Sequence, residues 1–304
     1  MASWKSIRIT KPCKISIDKG NLLIQDSENN FKLSLADTDS VIFEGDQFVL
    51  TAPVLSAFAK HKIATLFCDK AYMPQAILLP YSQSALGVDV LKVQIKTPKE
   101  FKEKLWQLII EAKILNQYEV LHYFSYEKNY LQKYIGKVAL GDKYNVEAKS
   151  AREYWNKLFK GLKREQSSFD VRNQALNYGY AILRSMLARD LSVAGFNCAL
   201  GIWHDNKFNP YNLVDDLIEP FRPLVDVAIK KLLENYKSEF ISSNLKRQII
   251  NIFDWEYISY MEAKSSIRKI TKLYINDFKK AIFLKDVLKL NFPTLLPKSL
   301  NECF

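Results

Sequence analysis

Three side chains in this sequence have the chemistry that binds a hard divalent cation. His204 is one of only three histidines, Glu219 follows it in the next segment, and Glu147 lies upstream. An imidazole and two carboxylates that face a protein core are unfavourable unless a charge compensates them. This ligand set suits Mg²⁺ or Mn²⁺. Because the chain has a net charge of +11, the substrate expected at such a site is a phosphodiester.

Two more carboxylates, Asp215 and Asp216, lie close to Glu219 in the segment NLVDDLIEPFRPLVD. On a helix, Asp215 and Glu219 share one face, and Asp216 borders that face. Neighbouring carboxylates repel one another, and a cation relieves the repulsion. A solvated acidic helix start, favoured by the helix dipole, explains the same residues without a metal, and it also explains Glu147. A lone loop histidine is often a surface residue. The spacing therefore leaves both interpretations open.

Helices and one loop must position these residues. Glu147 is expected on the apolar stripe of a helix, together with Ala151, Trp155, Leu158 and Leu162. His204 precedes a turn-rich segment, which places it in a loop. Pro220 and Pro223 disfavour a straight helix, so a kink is expected close to Glu219.

The whole chain predicts an α+β fold with two segregated regions. Residues 1–83 alternate short apolar runs with turn residues, which is typical of a small β domain with hairpins and one helix near Pro53. Residues 84–90 are the expected linker, and 91–304 the larger all-α domain that carries the candidate site. The apolar spacing predicts its main helices over 98–124, 146–162, 170–195, 212–236, 242–253 and 264–284.

Composition narrows the class of protein. With 48 % hydrophobic and 25 % charged residues, the chain is typical of a globular protein. The 44 basic against 33 acidic residues indicate a polyanionic partner, which could be DNA, RNA or an acidic membrane surface. No apolar run reaches the roughly 20 residues of a membrane helix, and the N-terminus lacks a signal-peptide pattern. The four cysteines form no close pair, which favours a reducing cytoplasm.

Several long segments resemble the CRISPR adaptation integrase family, the larger of the two universal spacer-acquisition proteins. They are VEAKSAREYW around Glu147, LNYGYAILRSMLARDLSVAGFNCALGIWH ending at His204, and NLVDDLIEPFRPLVD. Lys113 in WQLIIEAKILNQ matches a recurring helix, and the β region also resembles that family. The sequences NYGYAILR and DDLIEPFRP are most similar to those of family members from type II CRISPR systems. The resemblance covers nearly the whole chain, apart from residues 285–304.

The resemblance implies a function and a metal-binding triad. The triad falls on Glu147, His204 and Glu219, with Asp216 at a further acidic position. Arg222, three residues beyond Glu219, is a candidate supporting residue because of that spacing. The implied enzyme is a DNA endonuclease and integrase that uses Mg²⁺ or Mn²⁺. It joins the 3′-hydroxyl of a short foreign DNA fragment, the spacer, to the CRISPR array by transesterification.

The resemblance also implies partners and a location. The substrate is double-stranded DNA, both as spacer precursor and as CRISPR repeat. The family forms a homodimer through the β domains, and two dimers flank a dimer of the smaller adaptation protein in a hetero-hexamer. The implied location is the bacterial cytoplasm, with no membrane association.

Basic residues of the helical region are the candidates for phosphate contacts, each with an ion-paired or solvated face as the alternative. They are Lys149, Arg152, Arg184, Arg189, Arg222, Arg268 and Lys269. Two rival functions remain. The first is a stand-alone metal-dependent nuclease in repair or processing, which would cut DNA without joining it. The second is a non-catalytic DNA scaffold, which would need only the basic surface.

Overall fold

The N-terminal region is a sandwich of two β-sheets that enclose one helix. The computed structural model describes residues 5–45, 47–70, 73–80, 87–126, 130–165 and 169–304. The elements of this region are β1 (Lys5–Ile9), β2 (Cys13–Asp18), β3 (Asn21–Gln25), β4 (Asn30–Ser34), β5 (Thr38–Phe43), β6 (Phe48–Leu50), α1 (Ala52–Lys60), β7 (Ala64–Cys68) and β8 (Pro74–Leu78).

The two sheets combine hairpins with parallel pairs. In the first sheet, β5 lies between β1 and β7 and is parallel to both, and β8 pairs antiparallel with β7. The second sheet has the order β4-β3-β2-β6. The prediction of hairpins is confirmed at β2 and β3, which pair antiparallel across a turn where Lys19 and Gly20 have positive φ. The parallel pairs were not predicted, since alternation indicates a strand but not its partner.

β5 connects the two regions because both of its faces are buried. Val41 and Phe43 belong to the core between the sheets, whereas Ile42 and Leu66 of β7 belong to the core of the helical region. Successive side chains of a strand point to opposite faces, so one strand contributes to both cores. The first sheet therefore packs directly against the helices.

The helical region is built around the long buried helix α5, which packs against α7, α8 and α9. No helix among the described residues is long and apolar enough to cross a bilayer. The helices are α2 (Gly87–Lys96), α3 (Lys99–Tyr123), α4 (Val146–Leu158), α5 (Val171–Ala194), α6 (Asn212–Leu217), α7 (Arg222–Leu233), α8 (Ser243–Asn251), α9 (Ile267–Leu284) and α10 (Pro297–Asn301).

The prediction of an all-α second domain is wrong. A three-stranded antiparallel sheet is formed by β9 (Ile258–Tyr260), β10 (Ala263–Ser265) and β11 (Thr294–Leu295). Strands of two or three residues are too short to show a period of two, so the sequence pattern did not reveal them. Leu295 and Leu300 of the C-terminal segment are buried in the helical core.

Two boundary predictions have different outcomes. The linker predicted over 84–90 is wrong at its end, because α2 already begins at Gly87, while residues 84–86 lie outside the described part of the chain. The kink near Glu219 is confirmed: α6 ends at Leu217, a 3₁₀ turn spans Glu219–Phe221, and α7 begins at Arg222. The single helix predicted over 212–236 is therefore two helices.

Buried ion pairs join the two regions. The carboxylate of Asp39 on β5 lies 2.6 Å from the guanidinium of Arg189 on α5 and 2.5 Å from that of Arg268 on α9, and all three are buried. Lys272 adds a third cation at 3.3 Å. The pKa of Asp39 is lowered, because these cations outweigh the effect of burial.

Candidate metal centre

Glu147 lies in the first turn of α4, at the border of that helix's buried face. The buried residues of α4 are Val146, Ser150, Tyr154 and Leu158. The expectation that Glu147 shares the buried stripe is therefore wrong in detail, and its side chain is 28 % exposed. The buried stripe was misplaced because the adjacent aromatic residues Tyr154 and Trp155 are both suited to a core. Tyr154, rather than Trp155, faces the core, and its hydroxyl donates to the carboxylate of Asp226 at 3.0 Å.

Asp142 holds the start of α4 in place. Its carboxylate accepts hydrogen bonds from the backbone N–H groups of Val146 at 2.7 Å and Glu147 at 3.0 Å. Asn145, directly before the helix, is left-handed with φ 53° and makes no side-chain cap. Asp142 thus satisfies N–H groups that the helix leaves free, and it fixes the turn that carries Glu147.

The ammonium group of Lys113, on α3, lies between two of the three triad residues. Its Nζ is 2.7 Å from Oε1 of Glu147 and 2.5 Å from Oε2 of Glu219. Lys113 is buried, and burial alone lowers the pKa of a lysine. The two carboxylates outweigh that effect and raise the pKa of Lys113, so the ammonium stays charged. One buried cation therefore holds Glu147 and Glu219 together.

Glu219 is buried in the 3₁₀ turn that separates α6 from α7. Its Oε1 lies 3.0 Å from Nε of Arg222, one turn along. Burial tends to raise the pKa of this carboxyl, but Arg222 and Lys113 lower it below its ordinary value. The side-chain amide of Asn116 on α3 donates to the carbonyl of Pro220 at 2.8 Å. Asn116 thereby ties the kink to the helix that carries Lys113.

His204 is held in its loop by Asp216. The fully buried Asp216 carboxylate accepts hydrogen bonds from the backbone N–H groups of Ile202, Trp203 and His204, at 2.5, 3.0 and 3.0 Å. Gly201 makes this tight turn possible, because a Cβ there would lie 2.2 Å from the carbonyl oxygen of His204. The acidic position that the sequence singled out beside Glu219 therefore positions the histidine.

The same carboxylate orients the imidazole. Nδ1 of His204 lies 2.7 Å from Oδ1 of Asp216. An ionised carboxylate only accepts, so Nδ1 carries the hydrogen and neutral His204 has its lone pair on Nε2. The hydrogen bond to Asp216 raises the pKa of His204, and Glu219 adds to this effect. A carboxylate that accepts from the second ring nitrogen is the usual companion of a metal-binding histidine.

The structure thus brings together most of the predicted carboxylates, but with different partners. Glu147 and Glu219 share Lys113, and His204 lies close enough to Glu219 for each to influence the other's pKa. Asp215 lines the same cavity as His204 and Glu219, where it pairs with Arg184 at 2.6 Å. In the described part of the chain, no three His, Cys, Asp or Glu side chains are placed to hold a metal ion together.

Two cavities flank the candidate site. One, of about 320 Å³, contains Lys113, Glu147, Glu219 and Arg222 in its wall. The other, of about 480 Å³, is lined by His204, Glu219 and three arginines: Arg164, Arg184 and Arg222. We call the second the arginine groove. A larger cavity of about 730 Å³ lies elsewhere, between α4, α5 and α7.

The basic residues predicted to contact phosphates fall into two groups. For Arg189 and Arg268 the prediction is wrong, because both are buried in ion pairs with Asp39. A net positive charge does not tell which arginines lie inside. The others are at least partly exposed: Lys149, Arg152, Arg184, Arg222 and Lys269. Lys269 pairs with Glu256 at 2.7 Å, and its contact to phosphate stays a prediction.

Sequence reasoning missed several residues of the site. The role of Lys113 was not recognised, although its isolated positive charge in the apolar helix WQLIIEAKILNQ was a usable signal. Asp142 was missed because it caps α4 from outside the usual capping position. Arg164 lines both cavities, but its segment has no periodic pattern.

Comparison with known proteins places this site in a family. The family profile of the CRISPR associated protein Cas1 matches residues 7–246. The chain belongs to the Cas1 family. The CRISPR-associated endonuclease Cas1 of Neisseria meningitidis serogroup C is 34 % identical over 299 residues, covering 97 % of each chain. A Cas1 of Saccharolobus solfataricus is 28 % identical over 229 residues, covering 73 % of this chain and 72 % of the relative.

Solved structures support the fold. A casposase bound to its integration product superposes with a TM-score of 0.78 at 20 % identity, covering 93 % of this chain and 91 % of the casposase. A Cas1 protein of Thermotoga maritima gives a TM-score of 0.74 at 14 % identity, with 92 % and 97 % covered. A chain of a Cas6-RT-Cas1–Cas2 complex gives 0.76 at 18 % identity, with 96 % of this chain and 36 % of that one covered. The mixed α/β architecture is therefore that of Cas1 proteins.

Proposed function

We propose that this Cas1-family protein is a metal-dependent DNA endonuclease and integrase. It inserts short foreign DNA fragments into a CRISPR array by attack of a fragment's 3′-hydroxyl on the array backbone. The observation that carries the proposal is the hydrogen bond from His204 to Asp216, which leaves Nε2 available beside the buried carboxylate of Glu219. The endonuclease name of the Neisseria relative and the integration product of the casposase support the same chemistry.

The donor types of Glu147, His204 and Glu219 fit Mg²⁺ or Mn²⁺. In the described part of the chain, however, Lys113 lies between the two carboxylates, and the three side chains are not placed around one point. Glu147 and Glu219 supply two carboxylates whose negative charge is balanced by Lys113. His204 supplies a ring nitrogen whose tautomer is fixed by Asp216. These oxygen and nitrogen donors match the preferences of both ions. A bound cation would stabilise negative charge on the phosphoryl oxygens and increase the acidity of the attacking hydroxyl.

The other residues of the site position the DNA. Arg184 and Arg222 line the arginine groove, and Arg164 lies on the same wall. Guanidinium groups contact phosphates through two parallel hydrogen bonds, which orient a backbone and supply affinity. Arg222 also contacts Glu219, so a phosphate bound by Arg222 lies next to the triad. The geometry therefore favours a phosphodiester at the junction of the groove and the triad.

The proposal includes an assembly. We infer a homodimer formed through the β sandwich and a hetero-hexamer with the smaller adaptation protein. The relative solved in a Cas6-RT-Cas1–Cas2 complex supports a Cas2-type partner. Phe31 on β4 and Val49 on β6 are large apolar residues that stay exposed on the two edge strands of the second sheet. Such residues suit a protein contact.

A joining assay tests this function. Supercoiled plasmid carrying the repeat is incubated with a DNA fragment, the smaller partner protein and Mg²⁺ or Mn²⁺. Glu147→Ala, His204→Ala and Glu219→Ala should each abolish joining. The matched control is Glu153→Ala on the same helix, which removes a carboxylate paired with Lys133 outside the site and should join normally.

The end of the fragment separates the rival functions. A fragment with a dideoxy 3′ end lacks the attacking oxygen, so it should bind normally but fail to join. Equal cutting with both ends and no joined product would indicate a stand-alone nuclease, whose nucleophile is water. Full activity of the Glu147→Ala variant would contradict the metal site, and DNA binding without any reaction would leave only a scaffold.

A further inference from the structure

An exposed tryptophan lies next to the histidine of the site. Trp203 stacks on the buried Trp106, with ring centroids 5.8 Å apart and planes inclined by 7°. Despite this contact, 44 % of the Trp203 surface is exposed. Trp106 also meets the imidazole of His204 edge to face at 5.5 Å. The two indoles and the imidazole therefore form one aromatic group that reaches the surface beside the triad.

The position of Trp203 is fixed on several sides. Its backbone N–H donates to Asp216 at 3.0 Å, which holds it in the same turn as His204. Gly141 lies against the edge of the ring, where a Cβ would be 3.0 Å from the indole. An exposed indole that is held this rigidly loses little conformational freedom when a second flat ring stacks on it.

Trp203 lines a cavity on another side of His204 from the arginines. This cavity of about 470 Å³ contains Trp203, His204, Lys99, Lys102 and the end of α2 at Ile95. We call it the tryptophan pocket. Its volume is within the roughly 300–1,000 Å³ of small-molecule sites, which is enough for a nucleotide. His204 lines both this pocket and the arginine groove, so the histidine of the triad lies between them.

The chemistry of the pocket matches a nucleotide unit. The indole offers an aromatic face, which stacks on any base, and the ammonium groups of Lys99 and Lys102 offer charge for a phosphate. Lys102 donates to the carbonyl of Gly201 at 3.3 Å and so lies against the turn of the site, whereas the almost fully exposed Lys99 pairs with Glu103 at 3.7 Å. Glu103 and Asp205 also line the pocket, so its aromatic face, more than its charge, matches a nucleotide.

We propose that Trp203 is a positioning residue that stacks on a DNA base next to the reacting phosphate, on the tryptophan-pocket side of the triad. The arginine groove would bind the backbone on one side of that phosphate, and Trp203 would fix the nucleotide on the other. This inference rests on the proposed DNA function, and it names the part of the DNA that this second pocket binds. Stacking tolerates any base, so Trp203 would set the register of the strand rather than its sequence.

An abasic scan combined with substitution tests the stacking. The full-length protein is titrated, in chelator, with a branched DNA that mimics the joined product and carries one abasic residue at successive positions. For the unaltered protein, one position should weaken binding by about tenfold, since stacking on an aromatic residue contributes that much. For Trp203→Leu, intact DNA should bind about tenfold more weakly, and the abasic residue should cause no further loss.

Two further variants separate stacking from a structural role. Trp203→Tyr keeps an aromatic face and should restore the abasic penalty. Phe240→Leu removes another exposed aromatic residue, one that lines neither pocket, and should behave as the unaltered protein. If Trp203→Leu does not fold, as judged by its melting temperature, Trp203→Gln replaces it in the same scan.

The outcomes are separable from those of the proposed function. An equal abasic penalty with and without Trp203, or no position with a penalty, would overturn the stacking, even if the triad variants had lost joining. Loss of binding in Trp203→Leu that Trp203→Tyr does not rescue would also overturn it, because it would indicate a structural role. Conversely, a coupled penalty at one position would support the stacking even if joining failed for another reason.

Discussion

At the scale of single residues, the position of Lys113 determines how the triad behaves without a metal. Its ammonium holds two carboxylates that otherwise repel each other, at 2.7 and 2.5 Å. A divalent cation that binds Glu147 and Glu219 would carry out the same compensation with more charge. Lys113 and a metal would therefore compete for the same two carboxylates, which the lysine holds close together.

The substitution Lys113→Met tests this competition. It keeps the length of the side chain and removes the charge, so the buried Glu219 and the partly exposed Glu147 lose their shared cation, and only Glu219 keeps another, Arg222. We expect the free energy of unfolding in chelator to fall by about 3–5 kcal/mol. The stabilisation caused by added Mn²⁺ should increase, because the ion no longer displaces an ammonium. Melting curves with and without Mn²⁺ measure both effects. Lys269→Met, at an exposed pair with Glu256, is the control. An unchanged response to Mn²⁺ would contradict the competition.

Asp226 gives the stability of the protein a pH dependence. Burial raises the pKa of this carboxyl to about 7, although Tyr180 and Tyr154 donate hydrogen bonds to it. The pKa of an aspartate in an unfolded chain is about 3.9. Between about pH 4 and 7 the folded state therefore keeps a proton on Asp226 that the unfolded state has lost. The free energy of unfolding should therefore decrease as pH rises through that window, by up to about 1.4 kcal/mol per pH unit, and level off above it.

Asp226→Asn should remove this contribution. The amide cannot ionise, so the difference between the variant and the unaltered protein should grow in favour of the variant from pH 4 to pH 7. Denaturant unfolding at four or five pH values across the window measures the difference. Other titrating groups cancel in that comparison. Parallel stability curves for the two proteins would show that the carboxyl is already ionised at low pH.

The residues of the site could be predicted from the sequence to different degrees. Glu147, His204 and Glu219 were chosen for their chemistry and for the family resemblance, and the structure brings two of them to one cation. Asp216 was given a less definite role, and it proves to hold His204. The cation itself, Lys113, was not assigned, because a sequence does not show which charges meet across two helices.

At the scale of elements, the first turn of α4 depends on one carboxylate outside the helix. The Asp142 carboxylate accepts hydrogen bonds from the backbone N–H groups of Val146 and Glu147, and the residue directly before the helix provides no cap. Removing a helix cap costs about 0.5–2 kcal/mol. Because Glu147 lies in this turn, fraying of the turn would also move a triad residue.

Asp142→Ala should therefore reduce stability and loosen the site together. We expect the free energy of unfolding to fall by about 1 kcal/mol and metal binding to weaken, since Glu147 is no longer fixed. Asp142→Asn retains an acceptor oxygen and should keep most of both properties. Unfolding curves and a Mn²⁺ titration measure the two effects. Normal metal binding in a destabilised Asp142→Ala protein would mean that Glu147 does not depend on the cap.

Elements with a strong local signal were predicted well, and elements defined by tertiary contacts were not. Pro220 and Pro223 locate the break between α6 and α7, because proline disrupts the interior of a helix but is tolerated in its first turn, where Pro223 lies. The stripe of α4 was misplaced by one residue, since Tyr154 and Trp155 are both suitable for a core. The short sheet β9–β10–β11 depends on pairing between distant segments, which leaves no periodic pattern in any of them.

At the scale of the whole molecule, some basic residues serve the interior rather than a DNA-binding surface. Arg189 and Arg268 were expected on a DNA-binding surface, and instead they enter the interface between the β sandwich and the helices. Burying a charge is unfavourable unless its partner is well placed, and Asp39 is that partner for both. The two regions therefore share a hydrophobic core at β5 and an ion-pair cluster at the same strand.

Asp39→Asn tests whether the two regions form one cooperative unit. The substitution removes the shared carboxylate from two buried guanidinium groups, which keep Asp190 and Asp254 as their other partners, so we expect a cost of at most about 3 kcal/mol. Because β5 belongs to both cores, we expect the loss to reach both regions. Amide hydrogen exchange should accelerate in β5 and also in α5 and α9. Asp18→Asn, which removes an exposed pair with Lys32, should change neither the stability nor the exchange.

The pattern of exchange distinguishes two arrangements. Faster exchange throughout α5 and α9 would mean that loss of the ion pairs destabilises the helical region as well as β5, as expected for a single cooperative unit. Acceleration confined to β5 and its neighbours β1 and β7 would mean that the β sandwich opens by itself, and the shared core would then not couple the regions.

A rigid connection also bears on the proposed assembly. A dimer formed through the β sandwiches would hold the two triads at a fixed separation only if each sandwich stays fixed on its own helices.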